Sequence, residues 1–263
     1  MNSSLDHPVA LLSVVIPVYN EEATLRKVVS RVLQLSCVQQ VVIVNDGSTD
    51  RTAAIADGLA AEYRQVNVYH QARNQGKTEA LKTGFQHTTG SIVIVQDADL
   101  EYDPVEIPTL IEPILQGHAD VVYGSRFLVR KAARVLYFYH FLGNRSLTFF
   151  SNLLTNINLT DVETGYKVFR GEIIREMVIT SEGFGFEIEV TAKLAKLKCA
   201  IYEAPISYYG RTYEEGKKIG FKDGLAALWY ILKFNLFCSL EASFRRIPEL
   251  AGEATAKAVA ASD

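Results

Sequence analysis

The sequence predicts an α/β fold in which a mostly parallel central sheet is flanked by helices. Short apolar runs rich in Val and Ile recur through the first half of the chain, as expected of strands that are buried on both faces. A polar turn follows each run, and segments of helical period separate most of them. This alternation of strand and helix is typical of parallel α/β sheets.

The elements follow one another in a regular order. The apolar runs predict strands at 11–16, 41–44, 66–69, 92–95 and 121–123, and the helical period predicts helices at 21–35, 50–63, 77–86 and 104–116. Asp50 and Asp103 precede two of these helices and are expected to act as N-caps, because their side chains can accept hydrogen bonds from the first free amides. Pro104 suits a first helical turn.

The second half of the chain has a different pattern. A long aromatic and apolar segment covers 132–154, and strand-like pieces follow at 166–169 and 200–209. No linker rich in Gly, Ser or Pro separates the two halves, so we expect one continuous domain over 11–250, with halves at about 11–124 and 125–250. Residues 1–10 and the Ala-rich segment 251–263 are expected to be tails.

Composition and charge exclude several classes of protein. The 263 residues carry 27 basic and 30 acidic side chains, and the net charge of −3 argues against a nucleic-acid binder that works through a broad basic field. Three cysteines without a close pair indicate a reducing compartment. The sequence shows neither a signal peptide nor an uninterrupted run of about 18 apolar residues, so we expect a soluble, cytosolic-facing protein.

Polar clusters follow the predicted strands at their carboxyl ends. In open α/β sheets ligands bind in the crevice beyond these ends, so the clusters are expected to form one site. No GxGxxG follows the first strand and no GxxxxGK[ST] occurs, which argues against a dinucleotide site or a P-loop. The clusters are Pro17-Val18-Tyr19-Asn20-Glu21, Asn45-Asp46-Gly47-Ser48-Thr49-Asp50, Asp97-Ala98-Asp99 and Gly124-Ser125-Arg126.

Asp97 and Asp99 form the most informative pair. Residues i and i+2 of an extended segment point to the same side, so both carboxylates can face one hard cation, Mg²⁺ or Mn²⁺, whose coordination is usually completed by substrate phosphates. The alternative is that an aspartate here merely caps the next helix. Asp46 could accept hydrogen bonds from a nucleobase or ribose, Tyr19 could stack on a base or simply pack, and Glu21 could bind a ligand or favour a helix start.

Nine blocks, in order, resemble family 2 of the inverting glycosyltransferases, which have the GT-A fold, and within it the polyprenol-phosphate glycosyltransferases such as dolichol-phosphate mannosyltransferase. The resemblance covers about 11–233 and implies a nucleotide-binding half before about 124 and an acceptor half after it. The blocks are VVIPVYNE, VNDGSTD, NQGKTEALKTGF, QDADLEYDP, YGSRF, LGNRSLTFFSNLL, LTDVETGYKVFR, FGFEIEVTAKLAK and GRTYEEGKKI.

The resemblance implies a site for a nucleotide-sugar donor. Asp97 and Asp99 would hold Mg²⁺ or Mn²⁺ on the donor diphosphate, and Glu101 stands beside the metal where many relatives have Gln. Asn45 stands where the family often has Asp, which leaves the nucleotide base open. The residues that would line or support the nucleoside pocket are Pro17, Tyr19, Glu21, Asp46, Gly76 and Lys77.

The resemblance also implies a site for a phosphate acceptor. Arg126, Arg145 and Ser146 resemble acceptor-phosphate ligands, since a guanidinium fits phosphate oxygens. Arg211 and Lys217 lie in the block GRTYEEGKKI, which in the family closes over the donor and places cations on the leaving diphosphate. The alternatives are a surface ion pair for the first set and a solvated charged loop for the second.

The resemblance implies a metal-dependent inverting enzyme that moves a hexose, mannose or glucose, from a GDP- or UDP-linked donor to polyprenol phosphate. Asp99 through the metal, with Arg126 and Arg211, would stabilise the negative charge that develops on the leaving nucleoside diphosphate. If the acceptor were instead a saccharide or small soluble molecule, Asp161 or Glu187 would be the candidate base, unless Asp161 caps a turn and Glu187 starts a helix. A third hypothesis is a non-catalytic nucleotide-sugar-binding subunit.

A lipid-phosphate acceptor implies contact with a membrane. Two segments, 135–142 and 225–240, combine aromatic and apolar residues with nearby cations, as at the headgroup boundary. They predict a peripheral position at the cytoplasmic face of a membrane, or contact with a membrane partner protein. Core helices and an oligomer contact are the alternatives for the same two segments.

Overall fold

The computed structural model describes residues 12–128, 137–210 and 221–250, with side chains from 224 onward in the last range. It confirms the α/β fold with a mostly parallel sheet flanked by helices. The strands of this part of the chain are β1 (Leu12–Val18), β2 (Val38–Asn45), β3 (Val66–His70), β4 (Ile92–Val95), β5 (Val121–Ser125), β6 (Lys167–Arg170) and β7 (Ile201–Pro205).

The strands form one sheet in the order β3-β2-β1-β4-β6-β5-β7. β1 lies between β2 and β4 and is parallel to both, and its central residue Val15 pairs with Val42 and Val95. β6 is the exception to the parallel arrangement, because it runs antiparallel to β4 and to β5. The sheet therefore contains strands from both halves of the sequence.

Helices cover both faces of this sheet. In the described ranges they are α1 (Leu25–Leu33), α2 (Thr52–Glu62), α3 (Lys77–Gln86), α4 (Ile107–Leu115), α5 (Phe138–Thr155), α6 (Gly171–Glu176), α7 (Phe186–Leu197), α8 (Phe221–Leu236) and α9 (Leu240–Ser243), with a 3₁₀ turn, Pro104–Glu106, before α4. No helix of these ranges is both long enough and apolar enough to cross a membrane.

The two predicted caps support the helix starts. Asp103 accepts a hydrogen bond from the Val105 amide, and Pro104 occupies the first turn as expected. Asp50 accepts from the Thr52 amide at 2.9 Å, although Arg51 occupies the N-cap position of α2. Asp50 also accepts from the Glu22 amide, and α1 begins only at Leu25 because 21–24 form a turn.

Alternation along β1 divides the core between the two faces of the sheet. Val14 and Ile16 are buried in the cluster that contains residues of α1, α2 and α4, whereas Val15 is buried with residues of α3 and α7. Successive side chains of a strand point to opposite faces, so one short apolar run supplies both cores. This burial fixes the carboxyl ends of β1, β2 and β4 side by side, where the functional residues lie.

Candidate active site

A cavity of about 1200 Å³ lies at the carboxyl ends of β1, β2 and β4, where the polar clusters are predicted to meet. Arg145 and Asp161 do not line it, and Arg211 and Lys217 lie outside the described residues. The structure brings the other predicted residues to its wall, and these are Pro17, Tyr19, Glu21, Asp46, Gly76, Lys77, Asp97, Asp99, Glu101, Arg126, Ser146 and Glu187.

Asp46 holds the loop that precedes α3. Its carboxylate accepts hydrogen bonds from the Gln75 amide at 2.7 Å and from the Gly76 amide at 2.8 Å. Burial raises the pKa of Asp46 above its ordinary value, and the two amides act in the opposite direction. Next to it Gly47 has φ of 64° and packs so close to the Arg73 backbone that a side chain would not fit. Asp46 therefore shapes the predicted nucleoside pocket, and direct contact with a nucleoside stays a prediction.

Asn45 is held in a chain of hydrogen bonds behind this pocket. Its Oδ1 accepts from the Ser48 amide at 3.1 Å, and its Nδ2 lies 3.0 Å from His70 Nδ1. The other ring nitrogen of His70 lies 2.9 Å from Asp57 Oδ1. An amide can donate to His70 and accept from Ser48 at once, whereas the aspartate often found in the family could only accept.

Lys77 is the centre of the charged part of the cavity. Its Nζ lies 2.9 Å from Asp97 Oδ1 and 3.2 Å from Glu187 Oε1, so one cation bridges the end of β4 and the first turn of α7. Burial alone would lower the pKa of Lys77, but the charges of Asp97 and Glu187 raise it above its ordinary value. Glu187 is thus both a first-turn helix residue and part of the cavity wall.

Asp99 and Glu101 flank a strained residue. Leu100 has φ of 63°, and the Glu101 amide donates to Asp99 Oδ1 at 3.1 Å. Tyr208 donates its hydroxyl to Glu101 Oε2 at 2.9 Å, which fixes the carboxylate that is predicted to stand beside the metal. A left-handed conformation in a leucine is uncommon and concentrates at functional loops.

The residues present fit a divalent cation only if a ligand completes its coordination. No group of three or more His, Cys, Asp or Glu side chains within the described ranges is arranged to hold a metal. Asp97 and Asp99 both line the cavity, and Asp97 pairs with Lys77. Mg²⁺ usually takes one or two carboxylates together with substrate phosphates and water, which is the donor set that Asp99 and a diphosphate would supply.

Asp161 does not fit the role of a general base. Both its oxygens accept from the Arg126 guanidinium, from Nε and Nη2 at 2.7 Å each, and the residue is fully buried outside the cavity wall. Burial would lower the pKa of Arg126, but the Asp161 charge raises it well above its ordinary value. Asp161 is therefore a positioning residue that fixes Arg126 against the cavity, where the guanidinium also lies 5.2 Å from the centre of the Tyr208 ring.

The predicted acceptor residues of α5 are exposed. Arg145 donates from Nη1 to the Thr160 carbonyl at 3.3 Å, and Ser146 lines the cavity. Glu203 of β7 accepts from the Thr160 and Asp161 amides, so the segment that carries Asp161 is tied to the sheet. Arg145 and Arg126 thus contact two adjacent residues, Thr160 and Asp161.

The cavity wall also includes Glu163, Tyr102 and Tyr208, which were not predicted as site residues. Burial raises the pKa of Glu163 to about 7, and the Glu187 charge acts in the same direction. Glu163 lies inside the block LTDVETGYKVFR, so the signal was its position in a block that also contains Asp161. Tyr102 stacks on Tyr166 and had no local signal, because its partner is distant in sequence.

An exposed aromatic face lies beside the cavity on α5 and α8, which pack against each other. Tyr139 is 83% exposed and Phe237, just after α8, is 78% exposed. Lys233 lies near the rings of Tyr230 and Phe234 on the same helix. The other large exposed apolar residues of this face are Tyr137, Phe138, Phe141, Leu142, Phe149, Phe150, Leu153, Leu154, Leu225, Trp229, Leu232 and Leu236.

Substitution of Asp161 by Asn separates the positioning role from a base role. Removing the charge leaves Arg126 uncompensated in a buried position, so we expect the free energy of unfolding to fall by about 3 kcal/mol in chemical denaturation. Asp57→Asn is the matched control, because Asp57 is 64% exposed in its pair with His70 and its loss should change stability by less than about 1 kcal/mol. Unchanged stability in Asp161→Asn would contradict the assignment.

Comparison with known proteins identifies the family of this chain. The family described as Glycosyl transferase family 2 matches residues 13–178. The chain is 29% identical to undecaprenyl-phosphate mannosyltransferase of Micrococcus luteus over 84% of this chain and 97% of that protein. It is 31% identical to dolichol-phosphate mannosyltransferase of Pyrococcus furiosus over 80% of this chain and 59% of that protein.

Solved structures show the same fold. Glucosyl-3-phosphoglycerate synthase of Mycobacterium tuberculosis, in complex with Mn²⁺, UDP and phosphoglyceric acid, matches 86% of this chain and 79% of its own with a TM-score of 0.65 at 22% identity. At this identity the likeness concerns the fold alone, which is the GT-A-like α/β fold. Because the family match covers more than half of the chain, the protein belongs to glycosyl transferase family 2 and is a glycosyltransferase.

Proposed function

We propose that this glycosyltransferase moves a hexose from a nucleoside-diphosphate sugar to polyprenol phosphate with inversion and with a divalent cation. The observation that carries the proposal is that one cavity has both Asp99 and Arg126 on its wall. A carboxylate suits a metal-bound diphosphate, and a guanidinium suits a phosphate acceptor. The names of the relatives from Micrococcus luteus and Pyrococcus furiosus agree with this acceptor class.

The donor would lie along the cavity from the β1 and β2 ends towards β4. Tyr19, Glu21 and Asp46 would border its nucleoside, and Asp99 would hold Mg²⁺ or Mn²⁺ with the diphosphate. A related fold binds UDP and Mn²⁺, and related sequences are named as mannosyltransferases, so UDP-glucose and GDP-mannose are the two donors to test. Glu101 would stay beside the cation as a residue fixed by Tyr208.

The chemistry requires charge stabilisation more than proton transfer. As the sugar–phosphate bond breaks, negative charge grows on the leaving diphosphate, and the bound cation would supply positive charge there. Arg126, fixed by Asp161, would orient the acceptor phosphate, which is already an anion and needs no strong base. Arg145 and Ser146 would extend the acceptor site along α5. Arg211 and Lys217, which lie outside the described residues, are proposed to place positive charge on the leaving diphosphate.

A saccharide or small soluble acceptor is the second candidate. Glu187 faces the cavity with one oxygen that has no hydrogen-bond partner within the described ranges, so a carboxylate base is available for a hydroxyl. This activity needs the same donor and the same metal but would leave the product in water. The two candidates therefore differ in where the transferred sugar is recovered.

We also infer that the aromatic face meets a membrane at its cytoplasmic side, directly or through a membrane partner protein. The face is next to the cavity, and rings beside Lys233 and Arg145 suit the headgroup boundary. An acceptor with a polyprenyl chain must keep that chain in an apolar environment while its phosphate reaches Arg126. Contact through this face would meet both requirements.

Transfer from labelled GDP-mannose or UDP-glucose to a short polyprenyl phosphate tests the proposal. In the presence of Mn²⁺ we expect label in the organic phase, and Asp99→Ala should lower the rate about 100-fold or more because the cation loses its protein ligand. Glu112→Gln, exposed on α4, is the control and should keep the wild-type rate. Label that enters only a soluble sugar would refute the lipid acceptor, and a fully active Asp99→Ala enzyme would refute the metal site.

Binding to vesicles tests the aromatic face. Replacing Trp229 and Phe237 by Ser should weaken sedimentation with anionic phospholipid vesicles by about tenfold or more, since each ring would lose a favourable burial of roughly 2 kcal/mol. Tyr202→Ser is the control, because Tyr202 is a 46% exposed aromatic residue on β7, away from this face. Equal binding of all three proteins would contradict the membrane contact.

A further inference from the structure

Two carboxylate oxygens on the cavity wall have no hydrogen-bond partner in the described part of the chain. They are Glu163 Oε1 and Glu187 Oε2, and both are buried. The Glu187 residue is only 5% exposed, and its other oxygen is taken by Lys77. An unpaired buried carboxylate oxygen costs free energy that a hydrogen-bond donor in the cavity can offset.

These oxygens lie at the diphosphate end of the proposed donor site. Lys77 joins Glu187 to Asp97 through contacts of 3.2 Å and 2.9 Å. The segment after Glu163 packs directly on Asp97, because a Cβ at Gly165 would lie 2.5 Å from Asp97 Oδ2. Glu187, through Lys77, and Glu163, through Gly165, therefore adjoin the carboxylate at the end of β4.

The chemistry of the pair selects the kind of group that it can bind. Carboxylates only accept hydrogen bonds when ionised, so they repel phosphate oxygens and attract hydroxyl groups. The nearby cation Lys167 does not relieve the pair by direct bonding, since its Nζ donates to the carbonyls of Val162 and Thr164. Hydroxyl donors are therefore the groups that fit this part of the wall.

We propose that Glu163 and Glu187 form the subsite that recognises the hydroxyl groups of the transferred sugar. The inference rests on the proposed function, in which the ligands are a nucleotide sugar and polyprenol phosphate. The acceptor's headgroup has no alcohol hydroxyl, and the ribose hydroxyls belong to the nucleoside, which is proposed to lie at the β1 and β2 ends of the cavity. The sugar hydroxyls are the donors that remain, and Glu163 is then a residue that determines sugar specificity.

Calorimetric titration of wild type and Glu163→Ala with nucleotides in Mn²⁺ tests the subsite. The probes are GDP, GDP-mannose, UDP and UDP-glucose. We expect Glu163→Ala to bind the wild-type enzyme's preferred nucleotide sugar about tenfold or more weakly, because a hydrogen bond to the carboxyl group is lost, and to bind the matching nucleoside diphosphate with unchanged affinity. Glu163→Gln, which keeps one acceptor oxygen, should show a smaller loss.

Deoxy analogues of the preferred donor identify the hydroxyl. Among donors that each lack one sugar hydroxyl, at least one should bind wild type and Glu163→Ala equally well, since the contact is already absent. Glu172→Ala, on α6 away from the cavity, is the control and should match wild type for every probe. Thermal unfolding of each variant checks that it is folded.

The outcomes separate this inference from the proposed function. Suppose that wild type binds a nucleotide sugar, and that Glu163→Ala lowers the affinities for the nucleotide sugar and the nucleoside diphosphate by the same factor or leaves both unchanged. The proposed subsite is then wrong, while the proposed donor class stands. If Glu163→Ala binds every deoxy donor more weakly than wild type does, and by the same factor, hydroxyl recognition by Glu163 is also wrong. If wild type binds none of the four nucleotides, both the proposed donor and the proposed subsite are refuted.

Discussion

A largely buried positive charge between two carboxylates holds the cavity of this glycosyltransferase together. Lys77 opens α3, where the helix dipole disfavours a cation, and it lies between Asp97 and Glu187. The position is stable because the two carboxylates, from β4 and α7, supply compensating charge. Three elements that are far apart in sequence are thereby joined at one point, and loss of Lys77 would leave two carboxylates without their shared cation.

The loops around this point are held by similar buried contacts. Thr78 donates its amide to the Gly183 carbonyl at 3.1 Å, so the start of α3 is tied to the loop before α7. Glu189 accepts from the Thr180 and Ser181 amides and pairs with Lys193, which lowers the pKa of Glu189 against the opposing effect of burial. The cavity wall is thus preorganised by groups that do not themselves line it.

The sequence was sufficient where the signal is local. The run IVIV of β4 and the aspartates after it predict a buried strand that ends in a polar site, and parallel strands bring such ends together. The antiparallel direction of β6 was not predictable, because KVFR has no local feature that sets strand direction. The start of α1 also differs, since 21–24 bond to the turn around Asp50 instead of continuing a helix.

Roles that depend on distant partners could not be predicted from the sequence. Asp161 looks like a possible base until Arg126, 35 residues away, is seen to occupy both its oxygens. Glu163 could not be singled out in the sequence, because its unpaired oxygen and its raised pKa depend on burial and on the nearby charge of Glu187. Such properties arise only when the chain is folded, since burial and neighbouring charges set them.

Lys77, Asp97 and Glu187 together are proposed to organise a donor site for a metal-bound nucleoside diphosphate. Anomalous diffraction from crystals soaked with Mn²⁺ and either GDP or UDP tests this organisation. We expect one manganese peak in the cavity, bonded to Asp99 and to diphosphate oxygens, with Lys77 still paired to Asp97. Manganese bound away from Asp99, or a nucleotide bound outside this cavity, would contradict it.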